Sequence, residues 1–151
     1  MRPPRTAVIG AGPAGLTLAC ILQAAGQEVE VFEADDSTMS RDQGGTLDLH
    51  PDTGQKALEL VGLKERFLAV ARPEDQDKRV IDYKTAELLF EEIVEPGSGD
   101  KPEIDRRALR QLMMSPLRPG TVRWGHRLAE VRPIPGGERH ELIFDNGFAD
   151  S

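Results

Sequence analysis

The stretch that decides the fold is Ala7-Val8-Ile9-Gly10-Ala11-Gly12-Pro13-Ala14-Gly15, followed after seventeen intervening residues by Glu33. Ala7-Val8-Ile9 is a short apolar run with the look of a buried strand. The glycines come directly after it and open a segment in which Leu16, Leu18, Ala19, Ile21 and Leu22 recur at 3- and 4-residue spacings, the pattern of a helix with one apolar face. Gly26 stands where a helix ends in a left-handed residue. Val29-Glu30-Val31-Phe32 reads as a second strand, and Glu33 closes it. Strand, glycine turn, helix, strand and acid, in that order, make a dinucleotide-binding βαβ unit.

Each residue type has a physical job. Gly10 permits the tight turn out of the first strand, Gly12 lets a pyrophosphate approach the backbone, and Gly15 lets the helix lie close to the strand. The helix N-terminus opened by Pro13 and Ala14 offers unpaired N–H groups and a partial positive charge to phosphates. The Glu33 carboxylate can accept hydrogen bonds from ribose hydroxyls and repels a 2′-phosphate, so FAD or NAD suits this site better than NADP. A bare glycine pattern also opens helices that bind nothing. Here the helix, the second strand and the acid all fall where the motif needs them.

Composition sets the outer bounds. At 151 residues the chain can build one ordinary domain with a real core. Its 19 Lys and Arg against 26 Asp and Glu give a net charge of −7, which argues against nucleic acid or an anionic membrane as partner. No apolar stretch approaches the ~18 residues of a membrane span. Met1-Arg2-Pro3-Pro4-Arg5 leads straight into the first strand without the apolar core of a signal peptide. The simplest reading is a soluble cytoplasmic protein. The single Cys20 lies mid-helix among apolar neighbours and reads as a small core residue. His50, His126 and His140 have no metal-ligand spacing, and Trp124 reads as core. No Ser/His/Asp or Cys/His arrangement emerges, so no catalytic side chain is assigned.

Further along, a polar loop runs from Ala34 to Thr46, with Gly44-Gly45 near its end, and Leu47-Asp48-Leu49 is a short extended piece. A helix is expected from Asp52 to Leu60, capped by Asp52 or Thr53 and turning Ala57, Leu58 and Val61 inward. Gly62 interrupts it, and a second short helix covers Leu63 to Val70. Residues 79–83 and 88–94 read as strands joined by a polar turn at Lys84-Thr85. A loop rich in Pro and Gly, Glu95 to Lys101, leads to Asp105, read as the N-cap of a helix reaching Met114 with Ala108, Leu109, Leu112 and Met113 inside. Strands follow at 122–124, 127–131 and 141–144, with turns at Pro135-Gly136-Gly137 and Asn146-Gly147.

Three segments together carry a family resemblance. Beside the first glycine motif, Arg41-Asp42-Gln43-Gly44-Gly45-Thr46-Leu47-Asp48-Leu49-His50 and the following Gly54-Gln55-Lys56-Ala57-Leu58 resemble a Gly-Gly-Thr-Leu-Asp-Leu-His segment and the helix start after it. Pro102-Glu103-Ile104-Asp105-Arg106-Arg107-Ala108-Leu109-Arg110 resembles a Pro-Glu-Ile-Asn-Arg-x-x-Leu-Arg segment. The chain is thus similar to flavin-dependent monooxygenases of the aromatic-hydroxylase type, most of all to those that inactivate tetracyclines. The resemblance implies an α/β, Rossmann-like FAD/NAD(P)-binding domain, incomplete here, with a small β excursion toward a substrate domain. The expected division is residues 1–77 and 102–151 for the FAD-binding domain and 78–101 for a hairpin of the substrate domain.

The resemblance also implies roles. Glu33 binds the adenosine ribose. Arg106 contacts FAD near its phosphates and ribityl chain, a fit for a guanidinium fork, and a cation in a helix's first turn otherwise works against the dipole. Arg110, one turn on, either assists or forms a solvent salt bridge. Asp48 sits close to the flavin, and Arg41 matches a position tied to NADPH and flavin movement. FAD is the implied cofactor, NADPH the reductant, and a small aromatic molecule the substrate, into which one atom of O2 is inserted; tetracycline follows from likeness alone. The family's later Gly-Ala-Asp-Gly and Gly-Asp segments are not in the chain, which therefore reads as an N-terminal portion. Uncovered apolar surface and self-association are expected from that. A non-catalytic remnant and the NAD-binding domain of a dehydrogenase are the alternatives.

Overall fold

The computed structural model describes residues 6–38, 40, 44–73, 76–95, 97–137 and 139–150. Its elements begin with β1 (Thr6–Ile9), α1 (Pro13–Ala24), β2 (Val29–Phe32) and β3 (Thr46–Asp48). A wide helical turn at Pro51–Gln55 leads into α2 (Lys56–Leu60) and α3 (Lys64–Leu68), then β4 (Lys78–Ile81), β5 (Leu88–Glu92), β6 (Glu103–Asp105) and α4 (Arg106–Met114). Four short strands close the chain: β7 (Val122–Arg123), β8 (Leu128–Pro133), β9 (His140–Phe144) and β10 (Ala149–Asp150). They divide into two compact units, residues 1–43 with 109–151, and residues 44–108.

The first unit is built on a parallel sheet of order β1-β2-β7. Thr6 pairs with Val29 and Ile9 with Phe32, while Val31 pairs with Val122. β2 is the central strand and is buried as one, with Val31 and Phe32 at 0% and 1% exposure. Helix α1 buries Leu16, Ala19 and Cys20. Leu18 and Ile21, expected on the inner face, point outward. The cause is angular: at 100° per residue, positions two and five on from Leu16 lie roughly 200° and 140° round the helix, whereas Cys20 lies only about 40° away. The Cys20 thiol donates to the Met113 carbonyl at 3.3 Å, and burial pushes its pKa up, so it is the core residue its neighbours implied.

The C-terminal end of α1 is secured. After Ala25, Gly26 takes φ +76°; its N–H bonds to Gln23 O and the Gln27 N–H to Leu22 O, the paired bonds of a Schellman ending. The Gln23 amide donates to Thr121 Oγ1 at 2.7 Å and its oxygen accepts the Arg118 N–H at 3.1 Å, which fixes the chain just before β7. An antiparallel sheet of order β10-β9-β8 follows. Phe144 stacks on Phe32 with centroids 4.6 Å apart, and His126 and Phe148 complete an aromatic cluster.

In the second unit β3 and β6 pair antiparallel, Asp48 opposite Glu103 and Thr46 opposite Asp105. This turns Leu47 and Ile104 to one face, where Ile104 joins Leu58, Leu63 and Phe67 in a core of nearly zero exposure. The expected cap at Asp52 or Thr53 is corrected: the helix is entered at His50 with Pro51 in the first helical position and no side-chain cap. The Gln55 N–H reaches back five residues to His50 O at 3.1 Å, a widened turn that α2 then tightens. Strands β4 and β5 form the expected hairpin, its turn held by the Asp82 carboxylate, which accepts the Lys84 and Thr85 N–H groups at 2.8 and 2.9 Å. Every residue of both strands is exposed.

The tightest constraint lies in the first unit. A Cβ on residue 15 would stand 2.1 Å from the Gly10 carbonyl oxygen and 3.3 Å from Val8 Cγ1. The clash is with backbone, which cannot rotate away. Gly15→Ala is expected to cost about 1–3 kcal/mol or more, read as a lowered urea midpoint; an unchanged midpoint would show that α1 slides freely on β1.

Candidate functional site

The glycine turn is assembled as its sequence implies. Gly10 has φ +98°, a conformation that a side chain disfavours. Gly12 caps α1 with an extended backbone and Pro13 takes the first helical position, where its missing N–H costs nothing. Among the described residues, no atom beyond the chain neighbours lies within 4 Å of a Cβ built on Gly12, and Gly12, Pro13 and Ala14 are all exposed. Among the described residues of this unit, the N-terminus of α1 is therefore uncovered at Gly12, with the amide-rich, side-chain-free surface that an anion needs.

Glu33 stands directly beside this turn. Its Oε2 accepts the Ala11 N–H at 2.6 Å and its Oε1 the Asp35 N–H at 2.9 Å. With the Arg110 guanidinium 3.3 Å from Oε2, about three of the roughly four acceptor sites of the carboxylate are used, which leaves room for about one hydroxyl donor, on Oε1. The Glu33 carbonyl accepts the His126 N–H and the Asp35 carbonyl the Gly125 N–H, both at 2.8 Å, so the backbone carrying the acid is held on the β7 side.

The residue that sequence reasoning underestimated is Arg110. It is only 5% exposed, and of its two expected roles, assisting Arg106 or a solvent salt bridge, the second is corrected to a buried salt bridge. Nη2 lies 3.3 Å from Glu33 Oε2 and Nη1 3.4 Å from Asp35 Oδ2. Nε donates to the Ala11 carbonyl at 3.1 Å, and the guanidinium lies 5.0 Å from the Trp124 ring centroid. Asp35, 6% exposed, was not singled out either. The available signal was an arginine among Leu109, Leu112 and Met113 on the inner side of α4, matched to two acids two residues apart.

The second unit holds Asp48 and Arg106. Gly45 takes φ +90°, and its carbonyl accepts the Arg106 N–H at 3.3 Å. Arg106 Nε lies 4.0 Å from where a Cβ on residue 45 would stand, so the arginine lies across the glycine. Arg106 and Asp48 are both exposed. Asp105, expected to cap α4, instead ends β6 and meets Arg72 through two bonds of 3.2 and 3.3 Å. Gln55 fixes the ends of this two-stranded piece by donating to Leu49 O at 2.6 Å and Asp100 O at 2.7 Å. Arg41 lies outside the described residues. Among the described residues, no helix is long and apolar enough to cross a membrane.

Strand, glycine turn and acid thus form a nucleotide-binding α/β unit, and comparison with known proteins specifies its kind. Residues 5–132 match the FAD binding domain family, and the chain belongs to that FAD-binding domain family of flavin monooxygenases. It is 34% identical over 134 residues to monooxygenase asqM of Emericella nidulans, a match covering 85% of this chain and 29% of that protein. It superposes on the structure of tetracycline destructase Tet(55) with a TM-score of 0.69 at 25% identity, covering 95% of this chain and 35% of that one. For Klebsiella pneumoniae HpxO complexed with FAD and uric acid the TM-score is 0.71 at 21% identity, over 97% of this chain and 36% of that one. The chain spans under a third of the length of the curated relative it matches. Membership of this family sets aside the reading as the NAD-binding domain of a dehydrogenase.

Gln55 gives a direct test of how the second unit is held. Gln55→Leu removes two donors and leaves two carbonyls to find partners, an expected loss of about 2 kcal/mol. A urea midpoint equal to that of the wild type would show that these bonds are dispensable.

Proposed function

We propose that this chain grips the adenosine and pyrophosphate end of FAD and serves a monooxygenase that uses NADPH and O2 to hydroxylate an aromatic or tetracycline-like molecule. The observation that carries the cofactor reading is Glu33, fixed by the Ala11 and Asp35 N–H groups beside an open glycine turn. Bound FAD supplies the redox chemistry, and the protein binds and orients it.

On this reading the Gly12 to Gly15 backbone and the α1 N-terminus receive the pyrophosphate, and Glu33 accepts from a ribose hydroxyl. Gly10 keeps the turn tight, while Pro13 and Ala14 start the helix without intruding on the phosphates. Arg106 pairs with phosphate or ribityl oxygens, and its exposed position beside Gly45 keeps the fork available. Asp48 lies toward the flavin, and Arg41 serves the reductant. The substrate class rests on likeness: Tet(55) is a tetracycline destructase, and the HpxO structure contains uric acid. Both point to a ring compound, and the net charge of −7 accords with a small molecule in preference to nucleic acid or an anionic membrane.

Titration of the purified chain with FAD, NAD and NADP separately tests the cofactor. A yellow complex with FAD, and no comparable binding of NADP, is expected. Glu33→Gln should weaken FAD binding by about tenfold, as expected for loss of a charged hydrogen-bond acceptor. Absence of FAD binding by the wild type would overturn the proposal.

The hairpin supports a further part of the reading. Leu88, Leu89, Phe90, Ile81 and Ile93 are about half exposed or more, an apolar surface that soluble proteins cover. The isolated chain is therefore expected to self-associate, with a mass above that of the monomer by light scattering that falls to the monomer's in Leu89→Lys/Phe90→Lys. A monodisperse monomer at high concentration would rule this out.

A further inference from the structure

We propose that Arg110 is a positioning residue for the cofactor's adenosine end, one that joins the glycine turn and the ribose-binding acid into a single preorganised unit. This rests on the FAD reading above. No motif assigned Arg110 more than an assisting part, and its surroundings are more specific than a general stabilising role requires.

Its three nitrogens address three different segments. Nε donates to the carbonyl of Ala11 in the turn, at 3.1 Å. Nη2 meets Glu33 at the end of β2, at 3.3 Å, and Nη1 meets Asp35 in the following loop, at 3.4 Å. The geometry suits a planar fork and no other side chain; a lysine ammonium is a point charge and cannot serve three divergent acceptors in one plane. Trp124 lies against the guanidinium at 5.0 Å, which restricts its rotation.

The bonds also interlock. Glu33 Oε2 faces both the Ala11 N–H and Arg110, while the Ala11 carbonyl faces the same arginine. A carboxylate, a guanidinium and the backbone of one turn residue therefore form a closed ring of contacts. The ring sets where the carboxylate stands relative to the turn that receives the phosphates. Two buried acids share this arginine, so without it they repel, and only the Ala11 and Asp35 N–H groups hold Glu33 against that repulsion. A ligand that must meet the turn and the acid at once then binds to a site it has to assemble.

The test combines affinity with coupling. FAD and ADP are titrated into the wild type, Arg110→Gln, Glu33→Gln and the double variant, with folding checked by far-ultraviolet circular dichroism. Arg110→Gln should weaken both ligands about tenfold or more. In the Glu33→Gln background the same change should cost less than about twofold, because the residue acts through Glu33. Arg110→Lys keeps the charge in the fold and covers the case in which Arg110→Gln does not fold; it should still lose about threefold in affinity. Unchanged affinity in either variant, or losses that multiply independently of Glu33, would overturn the role given to Arg110. A wild type that binds neither FAD nor ADP would instead overturn the FAD reading on which it rests.

Discussion

Everything in the first unit turns on how the backbone of Ala11 is satisfied. A turn made almost wholly of glycine and alanine has no side chains with which to pair its own polar groups, and a buried N–H or C=O left alone is costly. Ala11 is fully buried. Its N–H goes to Glu33 and its carbonyl to Arg110, residues 22 and 99 positions away. The second strand must therefore end where it does, and α4 must pass where it does, for the turn to exist. The close approach of Gly15 to Gly10 then fixes the helix against that same turn.

This dependence explains what was legible in the sequence and what was not. The βαβ layout, the ending at Gly26, the cores of α2 and α4 and the hairpin could be read because each rests on local periodicity or turn chemistry. Leu18 and Ile21 were misplaced because spacing alone does not set where a narrow apolar stripe is centred; the contact of Cys20 with Met113 does. Asp52 or Thr53, and Asp105, looked like caps because short polar side chains before helices usually are. Tertiary partners override that preference: Pro51 already starts the first helix, and Arg72 claims Asp105. Strand β6 was missed because three residues paired with β3 carry no periodic signal of their own. Arg110 was undervalued because a buried arginine is visible only through its partners.

The two units differ in how they use charge. In the first, a cation and two acids are withdrawn from water and set against backbone groups, so their geometry is narrowly defined. In the second, the charges on β3 and β6 stay at the surface, where Arg72 balances Glu103 and Asp105 and contributes little to stability. Glu33 is thus held in a narrow geometry, whereas Asp48 and Arg106 lie exposed.

Trp124 is the only tryptophan in the chain, and it lies against the guanidinium that braces the glycine turn. The chain thus carries an optical reporter at the place where its nucleotide-binding architecture is tied together. Indole emission senses the charge and rigidity of its immediate surroundings, so a rearrangement of that ring of contacts is written into the emission of this one residue. The condition of the bracing cluster can be followed in the unlabelled protein before any cofactor is added.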